Sequence, residues 1–326
     1  MSIYVSLASM YDPELFYTLE DIFNNSDNPE LISVGLVFTI SEEYKQKTTK
    51  LIDDVKNKFK NNKLNIKILE GKENFKIGIG RNEAASMYND EDYFLQIDSH
   101  TLLESGWDTQ LVNLYNEALE ETKNEKTILT SYLGHYWHTS KHGRFAGNRR
   151  TKYPIQIEGN RRIGYFENQQ EKAFITCMPA FQDFSPSYIT NKKFIPAIKF
   201  NAQFVFGNKN FAKNINLPIT TIFWEEEIFQ SITLFYDGFS FVFPNIDLKL
   251  MHFYHNNYIQ NSLEMREMSS TDDIQVMRSM DDSYLDFLNS PVNLQKILLW
   301  EKYSFSSVYP RDFSIPYIPN SYRLNI

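Results

Sequence analysis

Apolar residues fall into two rhythms along the first 130 residues. Apolar-rich stretches at Ile3–Ala8, Ile32–Phe38, Leu64–Leu69 and Tyr93–Ile97 have strand length and turn-type flanks. Between them the spacing becomes helical. Leu51, Ile52, Val55 and Phe59 recur on one face of a segment that starts near Ser41-Glu42-Glu43. Asp12 is expected to cap a helix running to about Asn24, with Pro13 as its first residue. Another helix is expected from Trp107 to Glu121. Strand and helix in alternation predict a parallel sheet with helices on both faces.

Beyond residue 130 the pattern is less regular. Thr127–Tyr132 and Asn201–Phe206 read as strands. Glu225-Glu226-Glu227 opens a helix to Tyr236 that Asp237-Gly238 stops. Phe239–Phe243 is a further strand ending at Pro244, and Leu248–His255 follows with histidines at 252 and 255. Val292–Tyr303 carries the pattern of one more helix.

Composition narrows the class. With 326 residues the chain fits one large domain or two smaller ones, and 26 Phe with 20 Tyr predict an aromatic core. The net charge of −8 argues against indiscriminate binding to polyanions. Cys177 is the sole cysteine, which rules out an internal disulfide and a cysteine metal cage. A strand begins almost at once, and neither a signal peptide nor a membrane anchor is evident, so a cytoplasmic location is expected.

Candidate chemistry gathers at the end of the Tyr93–Ile97 run. The run stops at Asp98-Ser99-His100, and ligands of open α/β sheets bind just outside such strand ends. A carboxylate and an imidazole one residue apart suit a divalent ion such as Mn2+. A surface histidine beside a helix-capping aspartate fits the tripeptide equally well, and both readings stand at this point. Gly78 and Gly80 beside a helix start could cradle a phosphate, and Arg81 could fork onto a diphosphate or uracil or simply form a surface ion pair. Glu225 needs no reason beyond the helix dipole. Glu226 and Glu227 could accept hydrogen bonds from sugar hydroxyls, with Trp224 as an apolar wall. From Lys141 to Arg162 seven basic residues face one acid, a local +6 in an acidic chain. Arg149, Arg150, Arg161 and Arg162 lie here, on a solvated face or on a surface for an anionic acceptor or for the donor diphosphate.

The blocks Ile3–Ser9, Asp12-Pro13-Glu14-Leu15, Gly80-Arg81-Asn82, Leu95–His100 with Gly106-Trp107-Asp108, Phe223–Glu227, Asp237-Gly238-Phe239 and His252-Phe253-Tyr254 occur in one order. In this they resemble the N-acetylglucosaminyltransferases of GT-A fold that modify a hydroxyproline on a ubiquitin-ligase adaptor. A more distant likeness is to polypeptide N-acetylgalactosaminyltransferases. The resemblance spans about Ser2 to Tyr258. It implies an α/β GT-A glycosyltransferase fold, with a mostly parallel central sheet flanked by helices and a C-terminal extension. Residues 1–260 would be the catalytic domain, with 141–200 an insertion on the acceptor side. Residues 261–326 would be a helical or irregular extension.

Residue by residue, the resemblance implies metal ligands at Asp98, His100 and His252. It places Arg81 and Asp98 on the donor side with Trp224 and Glu227, and Glu226 and Glu227 as the catalytic acids. Apart from the resemblance, Arg149, Arg150, Arg161 and Arg162 are expected on the acceptor side, because Lys141–Arg162 follows the strand after Asp98 and would emerge beside the cleft. By the resemblance, Mn2+ or Mg2+ would be the cofactor and a UDP-sugar, chiefly UDP-N-acetylglucosamine, the donor. The acceptor would be a hydroxyl, with retention at the anomeric carbon. Two departures stand out: Met10-Tyr11-Asp12 replaces Tyr-Arg-Asp, and Glu225 replaces a glycine before the two acids. Three other classes match part of the pattern: a transferase acting on hydroxymethylated DNA bases, a non-catalytic sugar or nucleotide module, and a nucleotidyltransferase.

Overall fold

The computed structural model describes residues 1–42, 44–139, 143–146, 193–197, 200–217, 225–253 and 296. Strand β1 (Ile3–Met10) leads into α1 (Leu15–Asn24), β2 (Ile32–Ile40), α2 (Lys45–Lys58) and β3 (Lys63–Glu70). Then come α3 (Ile77–Ser86), β4 (Tyr93–Ile97), β5 (Thr101–Leu103), α4 (Trp107–Thr122) and β6 (Thr127–Thr130). The strands β7 (Gly134–Thr139), β8 (Gly143–Ala146), β9 (Phe194–Pro196) and β10 (Phe204–Asn208) follow. The last described elements are α5 (Lys209–Ala212), α6 (Glu225–Tyr236), β11 (Ser240–Pro244) and β12 (Leu250–His252).

Eight strands form the central sheet in the order β3-β2-β1-β4-β10-β6-β11-β9. The β3-β2-β1-β4 half is parallel throughout, as the alternation predicts. β10 runs antiparallel between β4 and β6, so the sheet is mixed and not all parallel. An apolar run carries no record of its direction, and β10 also begins at Phe204 where the pattern placed a strand from Asn201. The expected α/β architecture, a mostly parallel central sheet flanked by helices, is present.

Side chains of successive strand residues point to opposite faces. Ile3, Val5 and Leu7 of β1 join Leu95 and Ile97 of β4 in one core layer, beneath Leu15, Leu19 and Ile22 of α1, Val55 of α2 and Leu111 of α4. Tyr4 and Phe94 turn the other way, into a second layer with Phe211, Leu234 and Phe243. Both faces are covered, which is why these strands read as near-continuous apolar runs.

Gly78 and Gly80 lie inside α3, not in a loop before it, so they form no phosphate cradle ahead of the helix. A Cβ on Gly80 would meet the Cβ of Ala8 at 3.3 Å, so glycine there lets α3 lie close against β1. Nearby, Tyr4 crosses β2 at Gly35, and its hydroxyl donates to the Ala84 carbonyl of α3. Asp12 does not cap α1 from the N-cap position, which belongs to Glu14. Asp12 Oδ1 accepts the Glu14 N–H at 2.9 Å instead. Asp108, beside Trp107 at the start of α4, accepts from the Ser26 hydroxyl at 2.7 Å and from the Asp27 and Asn28 N–H groups at 2.9 and 3.0 Å. It thereby anchors the turn that follows α1. Among the described residues no helix is long and apolar enough to cross a membrane.

Candidate active site

A second, four-stranded sheet in the order β5-β12-β7-β8 builds onto the carboxyl end of β4. The bend Asp98-Ser99-His100 links β4 to β5 and is held from several sides. Thr101 Oγ1 donates to the Asp98 carbonyl at 2.8 Å. Thr18 of α1 takes the Thr101 N–H at 3.1 Å, with its hydroxyl 2.9 Å from the Ser99 and Thr101 carbonyls. β12 pairs antiparallel with β5, His252 opposite Thr101, and the Phe253 N–H donates to the His100 carbonyl at 3.2 Å. That pairing carries residue 252 to the end of β4.

Asp98, His100 and His252 each offer a ligand atom within 4.8 Å of the others. Asp98 Oδ2 lies 3.0 Å from His252 Nε2, and the two imidazole rings meet edge to face with centroids 4.5 Å apart. One carboxylate oxygen and two imidazole nitrogens form a donor set that suits Mn2+ or a similar ion. His100 Nδ1 is 2.7 Å from Asp12 Oδ2.

Arg81 approaches from α3. Its guanidinium is buried and donates to Asp98 Oδ1 at 2.7 Å and, through Nε, to Glu226 at 3.0 Å. Gln96 of β4 donates to the other side of Glu226 at 3.2 Å and to the Ala202 carbonyl at 3.1 Å. Glu227 is held by the Ala202 N–H and the Tyr132 hydroxyl, each at 3.1 Å. A continuous polar chain thus runs from His252 through Asp98 and Arg81 to Glu226, linking β12, β4, α3 and α6.

The electrostatics follow from burial and from these partners. Burial opposes ionisation of Asp98, but the His252 hydrogen bond and the Arg81 charge outweigh it and hold the carboxyl well below the usual range. Burial also opposes charge on Arg81, and Glu226 and Asp98 overcome it. Glu226 is pushed up to about 7, chiefly by burial, with Asp98 and Glu227 adding repulsion that Arg81 only partly offsets. Burial and the neighbouring His100 lower His252. For His100 burial acts the same way, but the Asp12 carboxylate prevails and raises it.

A family model described as Glycosyltransferase (GlcNAc) matches residues 54–279, well over half of the chain. The chain belongs to the GlcNAc glycosyltransferase family. No curated protein matches it. Among solved structures it is similar to GalNAc-T7 with UDP, GalNAc and Mn2+, at 10% identity and a TM-score of 0.48, over 78% of this chain and 44% of that one. The chain therefore spans less than half of that protein. A 1–349 piece of S. aureus TarS gives 12% identity and a TM-score of 0.46, over 93% of this chain and 70% of that one. The mannosyltransferase PcManGT from Pyrobaculum calidifontis, with GDP-Man and Mn2+, gives 8% and 0.38, over 74% and 54%.

Of the residues that sequence reasoning singles out in this family member, the structure brings Arg81, Asp98, His100, Glu226 and His252 into one cluster. Glu227 adjoins it through Ala202, whose carbonyl and N–H contact Gln96 and Glu227. Trp224, Arg149, Arg150, Arg161, Arg162 and His255 lie outside the described residues, as do most of 141–200 and all of 261–326 but Lys296. Sequence reasoning missed Asp12, Ser99, Gln96 and Tyr132 as parts of the cluster. For Asp12 a signal existed in the Asp-Pro-Glu block, read there as a helix start.

Proposed function

We propose that this chain is a metal-dependent glycosyltransferase that moves N-acetylglucosamine from UDP-N-acetylglucosamine to a hydroxyl acceptor. The convergence of Asp98, His100 and His252 at the end of β4, in a chain of this family, carries the reading. These three residues would hold Mn2+ or Mg2+. When bound, such an ion neutralises charge on a diphosphate leaving group.

The chain's own residues supply the rest. Asp98 is kept ionised by Arg81 and His252, so it stays a ligand across the neutral range. Arg81 adds a fixed positive charge beside the donor phosphates. Glu226 keeps the guanidinium in place from behind, since its oxygens are taken up by Arg81 and Gln96. Glu227, steadied by Tyr132 and Ala202, is the acid that accepts hydrogen bonds from sugar hydroxyls. The acceptor oxygen forms its bond to the anomeric carbon as the bond to the diphosphate oxygen breaks. The acceptor proton passes to the departing phosphate. Retention follows the family resemblance. Positioning and electrostatics would then supply most of the rate.

The test is a UDP-release screen of UDP-sugars with Mn2+ and with chelator, alone and with hydroxyproline peptides or hydroxymethylated DNA added. UDP release from UDP-N-acetylglucosamine that needs the ion is the expected result. No release from any UDP-sugar, with UDP still bound, would overturn the reading in favour of a binding module.

A further inference from the structure

Asp12 is not one of the three candidate ligands, yet its carboxylate is buried against one of them. Oδ2 is 2.7 Å from His100 Nδ1 and accepts the Ser99 hydroxyl at 2.6 Å, while Oδ1 accepts the Glu14 N–H at 2.9 Å. Starting α1 would use only the last of these bonds. The backbone before it is also unusual. Tyr11 has φ 25°, a left-handed conformation that is costly for a tyrosine and that persists only where the surroundings hold it. Its ring stacks on Tyr44, 5.0 Å between centroids and 8° from parallel. The turn at Tyr11 directs Asp12 to the bend that follows β4.

We propose that Asp12 is a positioning residue of the metal centre: it accepts the Nδ1 proton of His100, fixes that tautomer, and presents Nε2 to the ion. The proposal rests on the metal-dependent reading given above. An imidazole whose Nδ1–H is committed to a carboxylate keeps its lone pair on Nε2 and is the more basic ligand for it. Ser99 and the Glu14 N–H hold the carboxylate from two other directions, so it orients the ring without entering the centre as a ligand. Losing such a partner costs about 10–100-fold in metal affinity.

Two measurements test this. Nitrogen-15 NMR of the histidines in metal-free protein should show His100 with its proton on Nδ1; a proton on Nε2 alone overturns the proposal whatever any variant does. Mn2+ titration followed by the EPR signal of the free ion should then show Asp12→Asn binding about 10–100-fold more weakly than the wild type. His100→Ala should lose more, and Asp12→Asn added to His100→Ala should lose nothing further, because Asp12 acts through that ring. A merely structural Asp12 would add its loss in full, and that result overturns the proposal. Mn2+ binding that is lost in His100→Ala but unchanged in Asp12→Asn keeps the metal centre and removes Asp12 from it. A wild type that binds no Mn2+ overturns both.

Discussion

Asp98 and His252 are separated by 154 residues of chain, and their Oδ2 and Nε2 atoms by 3.0 Å. Pairing of β12 with β5 produces this approach, and Arg81 holds the other Asp98 oxygen at 2.7 Å. Asp98→Asn keeps the shape and removes the charge, and Glu226 still holds Arg81. We expect the fold to survive, with Mn2+ affinity falling by more than the ~10–100-fold typical of losing an outer partner. Ion-dependent UDP-sugar hydrolysis should fall with it. His252→Ala should do the same without touching Arg81. Calorimetric Mn2+ titration and a UDP-release assay check both. Full activity in chelator, or unchanged Mn2+ binding in either variant, would sink the ligand assignment.

Glu226 makes a prediction in pH. Its folded-state value is raised from 4.5 to about 7, first by burial and then by Asp98 and Glu227. Between those values the unfolded chain has lost the proton and the folded chain keeps it, so stability falls as pH rises through the window. At about 1.4 kcal/mol per unit the loss is on the order of 3 kcal/mol. Glu226→Gln lacks the titration. Urea unfolding from pH 4.5 to 7.5 should show the wild type losing stability relative to this variant as pH rises. Parallel pH curves for the two proteins would show that Glu226 is ionised throughout.

Much of this fold is legible in the sequence, because strands covered on both faces must be apolar along their length. β1, β2 and β4 lie where such stretches stand, the edge strand β3 shows as an alternation of apolar and polar residues instead, and Ile52 and Val55 of α2 are buried as their spacing requires. The direction of β10 is not legible, since either direction buries the same side chains. The small sheet is harder still. β5 and β12 have three residues each, too short for a periodic signal, and they become strands by long-range pairing, β12 between β5 and β7. The site divides the same way. Asp98 and His100 are visible because an apolar run ends on them, whereas Asp12 looks like a helix cap until β4 is placed beside β1. Arg81 reads as a surface cation because nothing local announces two acids waiting 17 and 145 residues away.

Gly35 tests the packing under the site. A Cβ there would fall 1.7 Å from the Tyr4 hydroxyl oxygen, far inside contact distance. Tyr4 would have to leave the Ala84 carbonyl, and its buried ring, edge to face with Tyr88 and tilted against Phe94, would move with it. Gly35→Ala should cost about 1–3 kcal/mol of overpacking, despite the backbone entropy that alanine saves. Chemical denaturation measures it. Adding Tyr4→Phe should recover part of the loss, because the clashing oxygen is gone. No recovery would place the strain elsewhere.

Glu227 separates a sugar contact from a structural one. Its carboxylate takes the Ala202 N–H and the Tyr132 hydroxyl at 3.1 Å each. A glutamine can satisfy both, its amide oxygen accepting from Ala202 and its NH2 donating to the Tyr132 oxygen. Glu227→Gln should therefore fold normally. What it gives up is charge, and a hydrogen bond to a charged acceptor exceeds one to a neutral acceptor by about 1–2 kcal/mol. At ~1.4 kcal/mol per factor of ten, sugar transfer should fall by roughly tenfold. UDP lacks the transferred sugar whose hydroxyls Glu227 would hold, so its affinity should stay within about twofold of the wild type. Tyr132→Phe keeps the charge and removes one support, and it should reduce transfer less than Glu227→Gln does. Steady-state transfer rates with UDP-N-acetylglucosamine, set beside UDP titrations of the same proteins, decide the matter. Equal losses in transfer and in UDP affinity would mean that Glu227 braces α6 against Ala202 and never meets the sugar.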